Sequence, residues 1–227
     1  MAITVYNLTS AIDTNNLSVY TTASITPTAR RLVLAYIGGS GVGVASPAPT
    51  LAGNGLTWVQ VATIEFNVIA TPISRLTLFR ALGAAPSSGA VTITFSATQD
   101  ACLWGIVEVS NVDNGGTNGS AAIVQSATNR ADAAAALTVT LAAYANANNG
   151  AVSGFSHDYL AGITPDTGWT EIHDITGLET QWRANNDTTA VATFASGTHD
   201  IAGIAVEIKT VTIAPVIMHQ RKMQGMS

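Results

Sequence analysis

The feature of this sequence that most constrains its fold is a period-two alternation of apolar and polar residues in many short segments. The segments are rich in Val, Ile, Thr and aromatic residues and end at Gly, Asn, Pro or Ser, as β-strands and their turns do. The clearest lie at residues 32–37, 56–66, 74–82, 90–96, 101–110, 137–142, 151–157, 169–174, 178–184, 189–195 and 201–211. Residues 130–137 alone are compatible with a turn of helix. The pattern predicts an all-β protein, a jelly-roll-like antiparallel β-sandwich.

The strand pattern of the first half recurs in the second half in the same order. Trp58 aligns with Trp169, and Glu108 aligns with Glu207. The separation between aligned residues decreases along the chain, as expected when strands keep their lengths and loops shorten. We therefore predict one β-sandwich over residues 1–212, built by internal duplication from repeats at about 20–112 and 137–212, with a connector at 113–136. Two separate domains on a linker are the alternative.

The chain carries few charges: 9 Lys and Arg and 14 Asp and Glu, or 10% of 227 residues, where soluble proteins average about 25%. Its 47% hydrophobic content argues against disorder, and a net charge of −5 without a clustered basic face argues against nucleic acid as a partner. No apolar run reaches about 18 residues and no signal-peptide pattern opens the chain, so we expect neither a membrane partner nor secretion. A single cysteine, Cys102, excludes an intramolecular disulfide framework and a cysteine-based zinc site.

The aligned repeats differ at three positions whose parity places them on an outer face of the sandwich. The first repeat has Leu76, Leu78 and Trp104 where the second repeat has Glu179, Gln181 and Gly203. Large exposed apolar patches are uncommon on monomers, so we predict that this face is covered by the N-terminal segment, the C-terminal arm or another subunit. The alternative is that the alternation slips at a β-bulge and that these side chains belong to the core.

The last residues, 213–227, leave the alternating pattern and are predicted to form an arm. Pro215 ends the preceding strand, and every methionine other than Met1 follows it. Methionine side chains adapt to irregular interfaces, and terminal segments can become ordered on docking. The candidate interface residues in the arm are Met218, His219, Arg221, Lys222 and Met223.

Three of the histidines each precede an aspartate, in the pairs His157-Asp158, His173-Asp174 and His199-Asp200. Imidazole and carboxylate groups are good metal ligands and acid–base groups. Neighbours on a strand point to opposite faces, however, and simple up-and-down strands place His173 and His199 at one end of the sandwich and His157 at the other. We therefore predict no metal site.

The sequence also lacks a catalytic or cofactor-binding signature. It has no G-x-S-x-G, H-E-x-x-H or P-loop motif, and GGSGVG at residues 38–43 lacks the Lys and the following helix of a phosphate-binding loop. The matched carboxylates Glu108 and Glu207 are predicted to lie on outward faces of terminal strands. We expect a protein that is not an enzyme, with no catalytic residues and no cofactor.

The strand motifs RRLVLAYIGG, GLTW, LTLFRAL, VTITFS and WGIVEVSNVD recur as GWTEIHD, TQWRAN and IAGIAVEIKTV. Together they resemble small duplicated β-sandwich proteins of tailed bacteriophages and prophages, over roughly residues 20–212. The resemblance rests on strand patterns, so no site residues carry over. It implies a non-enzymatic structural protein of the virion, a capsid decoration or cement protein or a spike or fibre component, assembled in the host cytoplasm. The implied partners are the major capsid protein or neck and fibre components, together with further copies of the chain in a homo-oligomer.

A glycan-binding module of a phage fibre or adhesin is the alternative function. In such a lectin-like sandwich, loops at one end would recognise host glycans, with Tyr159 and the His-Asp loops as candidates. A glycan-cleaving enzyme is the third and least favoured reading. It stays open because the fold brings its paired carboxylates together, but the one matched pair, Glu108 and Glu207, is predicted to lie on outward faces.

Overall fold

The computed structural model describes residues 1–68, 73–158, 161–195 and 197–211. These residues form fifteen β-strands, all paired antiparallel, and one short 3-10 helix at Ser120–Ala122. The predicted all-β antiparallel sandwich is thereby confirmed. Residues 130–137, the segment compatible with a turn of helix, contribute instead to two strands.

The first half contributes one large sheet with a small layer folded over it. Its strands are β1 (Thr4–Asp13), β2 (Leu17–Thr21), β3 (Leu32–Gly41), β4 (Thr50–Ala52), β5 (Val59–Phe66), β6 (Ser74–Ala81) and β7 (Thr92–Ser110). The large sheet has the order β1-β7-β3-β6-β5. The long strand β7 belongs to both layers, because its first residues, 92–99, pair with β2 and β4.

The second half repeats this arrangement with separate strands for the two layers. Its strands are β8 (Ile123–Ala134), β9 (Ala136–Thr140), β10 (Gly150–His157), β11 (Ile163–Pro165), β12 (Thr170–Asp174), β13 (Leu178–Arg183), β14 (Thr189–Phe194) and β15 (His199–Ile208). The large sheet has the order β12-β13-β10-β15-β8 and the small one the order β11-β14-β9. Read from its other edge, the second large sheet has the order β8-β15-β10-β13-β12. In both large sheets, the first strand of the half therefore lies at an edge and pairs with the last strand of that half. The internal duplication itself stays a prediction.

Among the described residues, three hydrophobic cores separate four layers, the two large sheets and the two small ones. The central core lies between the two large sheets and draws on both halves, for example Leu34 and Val107 from the first and Val152 and Ile204 from the second. A first outer core lies under β2, β4 and the start of β7, and a second outer core lies under β9, β11 and β14. Both faces of each large sheet are thus buried, which explains how so many apolar residues fit a chain with few charges.

The two halves meet at a close contact between β3 and β10. Tyr36 is fully buried, and a Cβ on Gly154 would lie 2.3 Å from its ring. Its hydroxyl donates a hydrogen bond to the backbone carbonyl of Val152 at 3.1 Å. Because Gly154 has no side chain, the tyrosine ring can lie directly on the backbone of the second half.

The molecule has two distinct ends. At the terminal end, the Asn111 side chain donates to the carbonyl of Ala2, and the N–H of Val211 donates to the carbonyl of Asn111, both at 2.9 Å. At the opposite, distal end, β10 finishes at His157 and β15 begins at His199. The N-terminus and the last described residue therefore lie together, away from these histidines.

Candidate functional site

Leu76, Leu78 and Trp104 do not form an outward apolar face. Leu76 and Leu78 are fully buried in the central core, between the two large sheets. Trp104 is 5% exposed and lies in the first outer core, on the opposite side of the sheet. The prediction of an outer face covered by the N-terminal segment, the C-terminal arm or another subunit is therefore wrong for Leu76 and Leu78, which face the central core. Trp104 does lie on the outer side of its large sheet, where the chain's own small layer buries it.

For Leu76 and Leu78, a one-residue register error explains this failure. The sequence alignment placed Leu76 on Glu179, yet the residue of β13 that shares the central core with Leu76 is Leu178. Glu179 and Gln181 lie on the other face of β13, where the Gln181 amide donates to the carbonyl of Val191 in the small sheet. Side chains alternate along a strand, so a slip of one residue assigns every side chain to the wrong face.

The arm residues Met218, His219, Arg221, Lys222 and Met223 lie outside the described residues, as does Tyr159. The last described residue before the arm is Val211, at the terminal end. Beside it is a cavity of about 330 Å³, lined in part by Val124, Asn149 and Lys209. Val124 and Val211 are 42% and 37% exposed, so this end presents apolar side chains to solvent.

The distal end brings together two of the three His-Asp pairs. His157 pairs with Ile201 in the ladder between β10 and β15, two residues beyond His199. The prediction that His157 and His199 lie at opposite ends is wrong, because these strands are antiparallel neighbours and the end of one meets the start of the other. The sequence does not reveal that β10 pairs with β15, and without that pairing the two histidines could not be placed at the same end.

The side chains of His157, Asp158 and His199 form a compact cluster. The two imidazole rings have centroids 5.0 Å apart, and His199 Nδ1 lies 3.6 Å from Asp158 Oδ1. The backbone N–H of Asp200 donates to the same Asp158 oxygen at 3.2 Å. His157 Nε2 lies 3.0 Å from the carbonyl oxygen of Ala161. Burial lowers the pKa of His157, which favours its neutral form.

A cavity of about 180 Å³ adjoins this cluster and is lined by both halves of the chain. Its apolar side chains include Ile12, Phe66 and Leu103, and its polar groups include Ser40, Asp100, His157 and Asp158. An apolar floor with a few convergent polar groups is typical of a small-ligand site. The distal end is accordingly the best candidate site in the described part of the chain.

The third pair, His173-Asp174, has a structural role. His173 lies against Gly105 of the first half, where an added Cβ would come within 2.1 Å of His173 Nε2. Burial lowers the pKa of His173 to about 4, so the imidazole is neutral at neutral pH. Asp174 accepts hydrogen bonds from the N–H groups of Ile163 and Thr176 at 3.0 Å and so fixes the neighbouring loops.

Glu108 and Glu207 are buried, which corrects their predicted exposure. Glu108 accepts hydrogen bonds from the N–H of Thr28 and, at 2.7 Å, from the guanidinium of Arg31. Glu207 accepts from the amides of Asn149, at 2.6 Å, and Gln125, at 2.7 Å. Thr28 and Arg31 precede β3, and Asn149 precedes β10. Each carboxylate therefore fastens the segment that leads into a central strand, a structural use of buried charge.

Comparison of the chain with protein-family models, with curated proteins and with solved structures found no match in any of the three. Within the described residues, no helix has the length and apolar character needed to cross a membrane.

Proposed function

We propose that this chain is a non-enzymatic structural protein of a tailed-phage particle, a capsid decoration or cement protein or a spike that docks on the particle surface. The proposal starts from the resemblance of its strand motifs to duplicated phage β-sandwich proteins. It rests on one structural observation, the division of the molecule into a terminal end and a distal end.

The terminal end has the properties of an attachment surface. Both Ala2 and Val211 lie there, so residues 212–227 continue from this end. The exposed Val124 and Val211 and the adjoining cavity offer apolar surface to a partner. The methionine-rich arm adds side chains that adapt to irregular interfaces. We infer that the chain attaches to other virion proteins through this end and presents its distal end outward.

A rigid body between the two ends supports the same function. The central core joins the two halves through side chains from both large sheets, and Tyr36 anchors one half on the backbone of the other. A shared apolar core of this kind resists relative movement of the halves, because separating them would expose it to water. Decoration and spike proteins need such stiffness to hold a fixed geometry on a lattice.

Deleting residues 214–227 tests the proposed attachment. Particles purified from the phage or induced prophage that encodes the chain would be mixed with the full-length protein, the truncated protein and, as a matched control at the other end, Asp158→Asn. We expect the full-length protein and the control to co-sediment with particles stripped of the native copy, and the truncated protein to remain in solution. Equal co-sedimentation of the truncated protein would contradict attachment through the arm.

Glycan binding at the distal end is the second candidate function. The 180 Å³ cavity there has an apolar floor and polar side chains from both halves, which suits a sugar ring with hydroxyls at its edge. This activity could coexist with particle attachment in a spike. A glycan array distinguishes the two, because a glycan binder keeps its ligand after removal of residues 214–227. Loss of glycan binding in Asp100→Asn, with particle association intact, would assign the two functions to opposite ends.

A further inference from the structure

We propose that His157, Asp158 and His199 form a binding site for a divalent transition-metal ion of the zinc type. Each residue offers one ligand atom, and these atoms all lie within 4.8 Å of one another. The inference goes beyond the proposed structural function, since attachment through the terminal end needs no metal at the distal end.

The spacing suits a tetrahedral ion. Zinc bonds to imidazole nitrogen and carboxylate oxygen are about 2.1 Å long, which places neighbouring ligand atoms of a tetrahedron about 3.4 Å apart. His199 Nδ1 and Asp158 Oδ1 are already 3.6 Å apart. The remaining separations need a contraction of up to about 1.4 Å, which side-chain rotations supply.

The donor set also selects the kind of metal. Two imidazoles and one carboxylate are the protein ligands of open zinc sites, in which a fourth position holds water or an external ligand. Calcium and magnesium prefer sites made of oxygen atoms alone. With two nitrogen donors, this cluster favours zinc and its neighbours in the first transition series.

The surroundings hold the ligands in place, as the outer shell of a metal site does. His157 Nε2 lies 3.0 Å from the Ala161 carbonyl oxygen, a contact that orients the imidazole ring. The Asp200 N–H holds Asp158 Oδ1, and the Asp200 side chain in turn accepts from the N–H of Ala133 at 2.9 Å. Three strands thereby fix the ligands before any ion binds.

An ion can reach this cluster and would have room for a further ligand. The Asp158 side chain is 29% exposed, and both His157 and Asp158 line the distal cavity. Asp100 lines the same cavity and adds negative charge that attracts a cation. A metal held here would therefore present its open coordination position to whatever occupies the cavity.

Metal titration of the untagged full-length chain tests this site. The protein, freed of metal with EDTA, is titrated with Zn²⁺ by calorimetry and with Co²⁺ by visible absorption. We expect one ion per chain, the d–d absorption of tetrahedral Co²⁺, and a higher thermal midpoint when zinc is present. His199→Ala and Asp158→Asn should each weaken binding at least about tenfold.

The controls separate this site from other sources of binding. His219→Ala removes a histidine of the arm, and Asp113→Asn removes an aspartate of the terminal end that pairs with Lys209; both should bind zinc like the unaltered protein. Asp158→Asn keeps an Oδ1 atom that can accept the hydrogen bond from the Asp200 N–H, so the variant should still fold. Urea unfolding of this variant in EDTA measures its stability without metal and checks this expectation. No binding, binding of several ions with equal weakness, or binding that His219→Ala abolishes would overturn the proposal.

Discussion

The buried side chain of Glu179 allows a direct experimental test of the packing around β13. It lies on β13 with no exposed surface, and neither carboxylate oxygen has a hydrogen-bond partner among the described residues. Burial raises the pKa of Glu179 well above its ordinary value, and the negative charges of Glu171 and Asp174 raise it further. We infer that the folded protein keeps this side chain as the neutral acid.

The energetic consequence follows from proton linkage. In the unfolded chain Glu179 ionises at a pKa of about 4.3, whereas the folded chain retains the proton. Above pH 4.3 the folded state binds more protons than the unfolded state, so stability falls by about 1.4 kcal/mol for each pH unit up to the folded pKa. The burial of Glu179 therefore becomes steadily more costly to the folded state as the pH rises from 4.3 toward the folded pKa.

Glu179→Gln keeps the shape of the neutral acid and removes its ionisation. Urea unfolding at pH 4.5, 6.0 and 7.5 should show almost no difference from the unaltered protein at the lowest pH. At higher pH the variant should become more stable than the unaltered protein, by about 1.4 kcal/mol for each pH unit until the folded Glu179 itself ionises. Titration of His173 cancels in this comparison because both proteins contain it.

Glu171→Gln is the matched control for this substitution. Glu171 lies on the neighbouring strand β12 and is exposed, so its replacement should change stability by less than about 0.5 kcal/mol at every pH. A difference between Glu179→Gln and the unaltered protein that stays constant from pH 4.5 to pH 7.5 would refute the reasoning.

Three further predictions concern the contact between the halves. Burial holds the pKa of His173 at about 4, whereas the unfolded side chain has a pKa of about 6.5. The protein should therefore lose about 3 kcal/mol of stability as the pH falls from 6.5 to 4. An NMR titration midpoint near 6.5 for His173 would contradict this. Gly105→Ala should lower the free energy of unfolding by about 1–3 kcal/mol, because the added Cβ forces the His173 ring aside. In a protein that also carries His173→Ala, the same substitution should lower it much less. If urea unfolding shows that the effects of the two substitutions simply add, the two residues are not in direct contact. Tyr36→Phe should lower the free energy of unfolding by about 1 kcal/mol, because it removes the hydrogen bond to the Val152 carbonyl. Tyr36→Ala should lower it by about 3–5 kcal/mol, because it also removes the buried ring. Equal effects of the two substitutions would show that the ring is not packed.

Ten of the fifteen described strands fall in predicted segments, whereas β1, β2, β4, β8 and β11 do not, and strand register was not predictable. Residues 74–82 were predicted as a strand, and β6 occupies Ser74–Ala81. The face of Leu76 could not be derived, because a one-residue error in the repeat alignment leaves the alternation looking equally good. Strand β8, at Ile123–Ala134, lies where a connector was predicted. As an edge strand of small and polar residues, it carries only a weak apolar alternation.

The candidate site depended on information that no local pattern contains. The His-Asp pairs were visible in the sequence, and their separate positions argued against a shared site. His157 and His199 meet because β10 and β15 are neighbours in the sheet although β11, β12, β13 and β14 lie between them in the chain. The burial of Glu108 and Glu207 was equally hidden, since the residues that bind them, such as Arg31 and Asn149, lie far from them in the sequence.

A reconstruction of the phage particle by electron cryomicroscopy tests the proposed function most directly. We predict density for this β-sandwich protein at regular positions on the capsid, neck or fibre. Its terminal end, with Ala2 and Val211, should face the neighbouring virion protein, and its distal end, with His157, should face solvent. Absence of the chain from purified particles would contradict a structural role in the virion. Attachment through the distal end, with the terminal end facing outward, would contradict the proposed orientation.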